Sequence, residues 1–523
     1  MRLLPASIFL IFFLAVCLFA APRPSFAQIE PGQISSPYNS ISQNSISNMG
    51  AYGDTVWTGP RMYYNVANDM DWLKPEGVDS VTDGRGRLFS IALAQDSVIA
   101  GIGYTDTQGG ESVQAQMGFY ITSDGGLSWE LVDTSRTLDH PDDNTIRYGG
   151  QDLEIVPVIV PQQSPPYVVD FRGDVAFFAG WASGIRRSTD FGQTWERIVL
   201  PPFELDRLDP EETYDFVIDP RGDGQSNNYL NFLGFSVLIA EDGHVYAGTA
   251  GGINISDNAL DAPADSIRWR HIRASRDPDG LLGNWVTAIR ENSYDNAVWM
   301  TNWSAITGED TEGIVATRDA GETFEQHLAG ERIYDIGFRD EAIFAAGSNG
   351  LFISRDNGRN WQQTSRIRSP NTSMKPGTTY YAVANASDRI WIGSSDGLAS
   401  TTDDGETWEI TRVNFPLDGE NQHQDDAPDV DTYAYPNPFS PRNHDLVRIK
   451  FETDSDAPVT IRLYDFSMNL IRVLDENKQL GPGTYEAVWD GTDEQGRKVA
   501  NGTIFYEIET GNGSKTGKIL VLE

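Results

Sequence analysis

The phrase [S/T]-x-D-x-G-x-[S/T/N]-[W/F] occurs five times in this chain, and that recurrence restricts the fold more than any other feature. The copies open at Thr122 (TSDGGLSWE), Ser188 (STDFGQTWE), Thr317 (TRDAGETFE), Ser354 (SRDNGRNWQ) and Thr401 (TTDDGETWE). A catalytic centre is needed once, so a phrase repeated this often points to a structural part. An Asp in a tight turn accepts hydrogen bonds from nearby backbone N–H groups. The Gly two residues later permits a positive φ, and the aromatic buries a large area. The pairs Asp124/Trp129, Asp190/Trp195, Asp319/Phe324, Asp356/Trp361 and Asp403/Trp408 are therefore read as structural clasps that perform no chemistry.

A second phrase runs ahead of the first. "AFFAGWASGIRRS", "IFAAGSNGLFIS" and "IWIGSSDGLAST" each read as strand, hairpin, strand. Gly118, Gly184, Gly313, Gly350 and Gly397 all lie four residues before the opening Ser or Thr. The same ruler finds two worn copies. One opens at Ser256, with Asn258 at the Asp position and the aromatic displaced to Trp269. The other opens at Asn65, with Ala67 at the Asp position and Trp72 at the end. The two shortest intervals between openings, 37 and 47 residues, suit four-stranded blades of about 40–50 residues. The expectation is an all-β chain with a seven-bladed β-propeller over residues 46–415, six or eight blades being the alternatives.

The doubled phrase resembles the Asp-box, or BNR repeat, of sialidase-type propellers, sortilin-like receptors and photosystem assembly factors. The resemblance covers roughly residues 46–412. It implies that each box is a turn between the third and fourth strands of a blade, away from the substrate face. For activity it implies little. Sialidases carry an arginine trio whose first member sits in an F/Y-R-I-P phrase, and "GPRMYYN" and "GRGRLFS" in that region do not match. Two-carboxylate glycosidases need acids roughly 5–10 Å apart across a cleft, and among 76 acidic residues the sequence nominates no pair. Catalytic residues stay unknown. Binding or scaffolding is the first reading, and a secreted glycoside hydrolase, sialidase-like or glucan-cleaving, is the alternative.

Residues 1–27 read as a signal peptide: Arg2, the apolar run "IFLIFFLAVCLFAA", then "SFA" before Gln28. A polar segment, 28–45, follows. The rival reading is a lipoprotein anchored through Cys17, to which Val16 is a poor fit. Cys17 is the only cysteine, so the mature chain is expected to hold no disulfide, thiol nucleophile or cysteine metal site. Six scattered histidines lack zinc-site spacing. The formal charge of −37 repels nucleic acid. Because the acidity is spread along the chain, adaptation to salt is preferred to calcium binding. "DPRGDGQSNN", which contains an RGD triplet, places Arg221 where a second oxygen ligand would be needed. Asp277 and Asp279 also lack a full ligand set, so no cofactor is expected. Trp181 and Trp303 follow strands and are read as packing rather than groove residues.

Residues 416–432 are acidic and apolar-poor, a linker. Residues 433–523 then alternate as about seven short strands, which suits a small immunoglobulin-like β-sandwich. "YPNPF" (435–439), "VWDGTDEQGRKVANGTIFYEI" (488–508) and "SKTGKILVLE" resemble two related modules. One is the C-terminal sorting domain of the bacterial type IX secretion system, and the other is the immunoglobulin-like domain of flagellar hook-capping proteins. The resemblance implies export, with the type IX machinery as a partner and a secreted or outer-surface location. Attachment to the outer membrane and cleavage of the tail are further implications. The ligand of the binding reading is a polysaccharide, a peptide or another surface protein, and nothing in the sequence selects among them.

Overall fold

The computed structural model describes residues 41–66, 72–222, 226–275, 277–305, 310–413, 417 and 429–523. The signal-peptide reading, Ala67, Asp223 and most of the linker lie outside the described residues. The described chain is built of strands, with one short α-helix at Asp79–Thr82. Among the described residues no helix is long and apolar enough to cross a membrane.

Among the described residues seven antiparallel sheets of three to five strands follow one another from Asn48 to Thr411, with a separate two-stranded hairpin, Thr145–Tyr148 and Gln151–Glu154, in the connection between the second and the third. Their first strands are Asn48–Tyr52, Arg87–Ala94, Pro166–Arg172, Gly234–Ile239, Trp285–Asn292, Ile333–Arg339 and Tyr380–Ala386. Each first strand contacts that of the next sheet, and Tyr380–Ala386 contacts Asn48–Tyr52, so the sheets form a closed ring. This is a β-propeller. In the second to seventh sheets the strands pair in chain order. The fourth sheet gains a short outer strand, Arg207–Leu208, from the long connection before it. Closure relies on backbone bonds from the N-terminal segment: the Ile46 N–H donates to Ser394 O at 2.9 Å, and the Gly397 N–H to Asn44 O at 2.6 Å.

The repeated phrase has a constant place in this ring. Thr122, Ser188, Ser256, Thr317, Ser354 and Thr401 are each the last residue of a third strand. The glycine four residues earlier opens the third strand in the third to seventh sheets, whereas Gly118 lies inside the longer strand Glu111–Thr122, beside a register shift. Gly118 and Gly397 have φ of 115° and 107°. A Cβ at either position would press on a backbone carbonyl of the fourth strand, Val132 O or Thr411 O. Only glycine satisfies both constraints.

Three clasp aromatics are buried in the seam between their own sheet and the preceding one. Trp195 packs with Phe119 of the second sheet and Phe178 of the third. Phe324 clusters with Tyr246 and Ile255 of the fourth sheet, and Trp408 with Ile353 of the sixth.

The other two, Trp129 and Trp361, depart from the burial expected of them, since each is only half-buried. Trp129 faces the first sheet, which has three strands rather than four, so its seam is shallower. The indole meets Trp57 of that sheet edge-on, with centroids 6.0 Å apart. Trp361 finds its seam already occupied. His327, on the fourth strand of the fifth sheet, stacks on the fully buried Trp299 at 5.0 Å. Trp361 is left at the rim of that pair, 6.4 Å from Trp299 and 6.2 Å from His327.

Residues 432–521 form a sandwich of two sheets. Thr432–Tyr435, Val447–Thr453 and Gly483–Trp489 make one, and Leu470–Leu480, Ala457–Tyr464, Gly502–Thr510 and Gly513–Val521 the other. Trp489, 1% exposed, sits in their shared core, and its indole N–H donates to Thr492 O at 2.8 Å.

Candidate functional site

The residues nominated from the sequence build five nearly identical turns, one per sheet. At Asp403, Oδ1 accepts from the Thr401 hydroxyl at 2.8 Å and from the Thr407 N–H at 2.8 Å. Oδ2 accepts from the Thr407 hydroxyl at 2.6 Å. Asp124, Asp190, Asp319 and Asp356 repeat the pattern. Within each turn two successive residues have positive φ, such as Asp404 at 55° and Gly405 at 83°, the geometry of a primed turn. Bonds from Ser128 and Thr122 hold the Asp124 carboxyl down at about 2. At Asp403 burial, the largest single effect, pushes the carboxyl up, but the Thr407 and Thr401 bonds together outweigh it, and the value is again about 2. These carboxylates are ionised acceptors committed to their own turns.

The indoles close the same turns with unequal success. Those of Trp129, Trp195 and Trp408 donate to the turn carbonyls of Gly126, Gly192 and Gly405, at 3.1, 2.9 and 3.1 Å. The indole N–H of Trp361 meets no acceptor among the described residues, so at that clasp the carboxylate and the backbone hold the turn without it.

The copy at Ser256 keeps the clasp across its insertion. Asn258 Oδ1 accepts from the Arg268 N–H at 2.9 Å, the residue directly before Trp269, and its Nδ2 donates to Ser266 O at 3.0 Å. An amide therefore serves in place of the carboxylate.

The clasps do not converge. In a four-stranded meander, the turn between strands three and four lies at the end opposite the hairpin between strands two and three. That second end carries a cavity of about 1460 Å³, and no clasp Asp or aromatic lines it.

Its wall comes from a feature that the repeated phrases do not include. Six first strands carry a β-bulge near their start, and the extra residue is Phe89, Tyr167, Phe235, Thr287, Tyr334 or Tyr381. A bulge re-aims the unpaired side chain, and all six line the cavity. The rings nearly touch in sequence: Phe89–Tyr167 at 6.4 Å, Tyr167–Phe235 at 6.1 Å and Phe235–Trp285 at 5.2 Å. After Trp303 the arc continues, Trp303–Tyr334 at 5.4 Å and Tyr334–Tyr381 at 5.5 Å. Trp303 thus departs from the packing role expected of it: half-buried, it faces the cavity under the Arg332 guanidinium, 4.9 Å from the ring centroid. Trp181 packs behind the arc on Phe235 and Trp285, as expected. A sequence signal for the arc exists. The bulged aromatic stands 16 or 17 residues before Gly184, Gly252, Gly350 and Gly397.

The lining is also cationic. It holds Arg61, Arg85, Arg87, Arg332, Lys375, Arg442 and Arg448 against Glu312, Asp396 and Asp445, while the whole chain has 39 Lys and Arg against 76 Asp and Glu. A cationic cleft on an acidic molecule concentrates field on anionic groups. Each lining carboxylate is engaged by a cation: Glu312 by Arg332, Asp396 by Arg448, and Asp445 by Lys375 at 3.1 Å.

Among the described residues, burial pushes three carboxyls above their ordinary range: Asp170, to about 6, Glu291 and Asp335. None lines the cavity. Asp170 accepts from the Ile239 N–H at 2.7 Å, and Asp335 accepts from the Val383 N–H at 3.0 Å and forms an ion pair with Arg290 at 3.0 Å, so both tie neighbouring sheets together. Arg221 folds onto Asp219 at 2.8 Å. Among the described residues no group of three or more His, Cys, Asp or Glu is placed to hold a metal.

The family model for the FlgD Ig-like domain matches residues 442–514. The photosystem II assembly lipoprotein Ycf48 of Synechococcus sp. (strain CC9902) is 26% identical over 288 residues, 50% of this chain and 73% of its own length. Similar solved structures include the GH74 enzyme of Niastella koreensis, 12% identical with a TM-score of 0.45, covering 92% of this chain and 73% of that one. Another is YCF48 from Cyanidioschyzon merolae, 16% identical with a TM-score of 0.42, covering 68% of this chain and 95% of that one. A third is PorZ, a surface component of the type IX secretion system of Porphyromonas gingivalis, 12% identical with a TM-score of 0.34, covering 92% and 75%.

Proposed function

We propose that this chain is a secreted or cell-surface binding protein. Its seven-bladed propeller presents an aromatic, cation-rich cavity to an anionic ligand, and its C-terminal sandwich acts as an address for type IX export. The observation that carries the binding role is the arc of bulged aromatics. The half-buried rings of Phe89, Tyr167, Trp303, Tyr334 and Tyr381, backed by the buried Phe235 and Trp285, offer apolar surface, and the surrounding cations select charge. An acidic polysaccharide satisfies both requirements, since its rings stack and its carboxylates meet the guanidinium groups. The glycoside hydrolase alternative lacks a comparable support, because every carboxylate of the lining is already paired with a cation.

The test is a binding titration of the full chain against acidic and neutral polysaccharides, alongside a hydrolysis screen of the same panel. Retention of acidic polymers, lost about tenfold in Tyr334→Ala, is the expected result. Equal binding of neutral polymers would remove the role given to the cations, and turnover would restore the hydrolase. The address is tested by fusing residues 429–523 to a reporter, which is expected to reach the cell surface only when the secretion machinery is present.

A further inference from the structure

The C-terminal sandwich does not stand apart from the propeller. Glu486, on the sandwich strand Gly483–Trp489, accepts from the propeller's Arg412 at 2.8 Å and from the Thr372 hydroxyl at 2.6 Å. Its own N–H donates to Asn371 O at 3.1 Å. In the opposite sense, Arg448 of the sandwich pairs with Asp396 in the hairpin between strands two and three of the seventh sheet. The two arginines also share one acceptor, Ser373 O, at 2.8 Å from Arg412 and 3.0 Å from Arg448. Tyr435, at the head of "YPNPF", closes the cluster by donating to Glu486.

Arg412 and Arg448 are 7% and 5% exposed, and Asp396 is 8% exposed. Burial pushes the Glu486 carboxyl up, but the Arg412 and Arg448 guanidinium groups outweigh it and hold it below its ordinary range. Charges therefore alternate between the two bodies in a buried square, cation facing anion across the interface in both directions. Rotating the sandwich would set like charges together, so this pattern specifies one docked orientation. In that orientation Arg442, His444 and Arg448 become part of the cavity wall, beside Lys375 and Tyr381 of the propeller.

We propose that the sandwich is a docked cap that completes the cavity, and that it stays bound when the chain is cut between it and the propeller. This inference rests on the docked geometry alone and stands whether or not the ligand is an acidic polysaccharide. It changes what tail cleavage would accomplish: a cut in the linker would yield two chains held in one particle with the cavity intact.

The experiment places a site-specific protease sequence within residues 418–428 of the full chain, cuts it, and follows both fragments by gel filtration at micromolar concentration. Co-elution at low and at molar salt is expected, because a buried cluster is screened far less than a surface one. Separation of the sandwich from the uncut-size peak at low salt would overturn the proposal without any variant being needed. In the cut protein, Glu486→Gln and Arg448→Met are each expected to weaken retention about a hundredfold. Arg497→Ala, which alters an exposed pair within the sandwich, is expected to leave it unchanged. Retention unaffected by both interface variants would refute the cluster as the latch. Loss of polysaccharide binding with the fragments still joined would count against the proposed ligand and leave the cap in place.

Discussion

Asp403 gathers two hydroxyl donors and one backbone N–H onto a single carboxylate, so its removal strands several groups at once. Asp403→Ala is expected to cost about 1–2 kcal/mol of stability, read as a lower melting temperature. The worn copy supplies the control. Asn258 already performs the same task with an amide, so Asp403→Asn is expected to lose clearly less than the alanine variant. The two also differ in acid. A carboxyl held at about 2 against an ordinary 3.8 contributes stability that is fully present above the ordinary value and lost as pH falls through the lower one. The wild type should therefore lose stability between about pH 4 and pH 2, and Asp403→Asn should flatten that limb in a thermal-melt series. These residues were legible in the sequence because the whole device is local: donor, acceptor, turn glycine and aromatic all lie within eight positions. The burial of Trp129 and Trp361 was not, because it depends on what the preceding sheet places in the seam.

The strands were legible for a related reason, since in the third to seventh sheets the hairpin glycine and the clasp phrase mark where the third strand begins and ends. Gly397 illustrates how strict those marks are. Its φ of 107° lies outside what a side chain tolerates, and a Cβ there would press on Thr411 O and the Arg412 side chain. Gly397→Ala is expected to destabilise by about 1–3 kcal/mol in chemical unfolding, with the larger effect falling on the fourth strand, Glu409–Thr411, which hydrogen exchange would resolve. The bulges were not legible in the same way. A bulge exists only relative to the partner strand, and the phrase-based ruler began downstream of it. The arc was hidden for a second reason: its bulged members come one from each of five sheets, with Trp285 and Trp303 supplied by the fifth sheet, and they are separated by about one repeat length or more. Short motifs do not report such a set. Thr287 shows that the position tolerates a residue that is not aromatic, so composition at the bulge is a matter of the cavity rather than of the strand.

At the scale of the whole ring, closure is the step the repeats could not foretell, because nothing in a repeating pattern says how its first and last members meet. The first sheet is made entirely from residues 48–66 and shares no strand with the last. The seam is instead sewn by the segment just ahead of it. Asn44 accepts from the Gly397 N–H through its carbonyl, and its side-chain oxygen accepts from the Val413 N–H at 2.8 Å. Ile41 and Ile46, 1% and 2% exposed, cluster with Trp391 and Leu398 of the last sheet. Asn44 therefore holds the chain entering the ring to the hairpin and the end strand that leave it, and it does so beside Asp396, where the sandwich docks. A chain shortened to begin at Ser47 keeps every strand of all seven sheets yet loses these bonds and two buried isoleucines. It is expected to lose about 3–5 kcal/mol, and the loss should fall on one seam. Limited proteolysis should then cut first in the seventh or first sheet while the third to fifth stay protected. Uniform loss of protection around the ring would mean that closure is carried by the packing of first strands alone and that the segment at 41–46 merely decorates it.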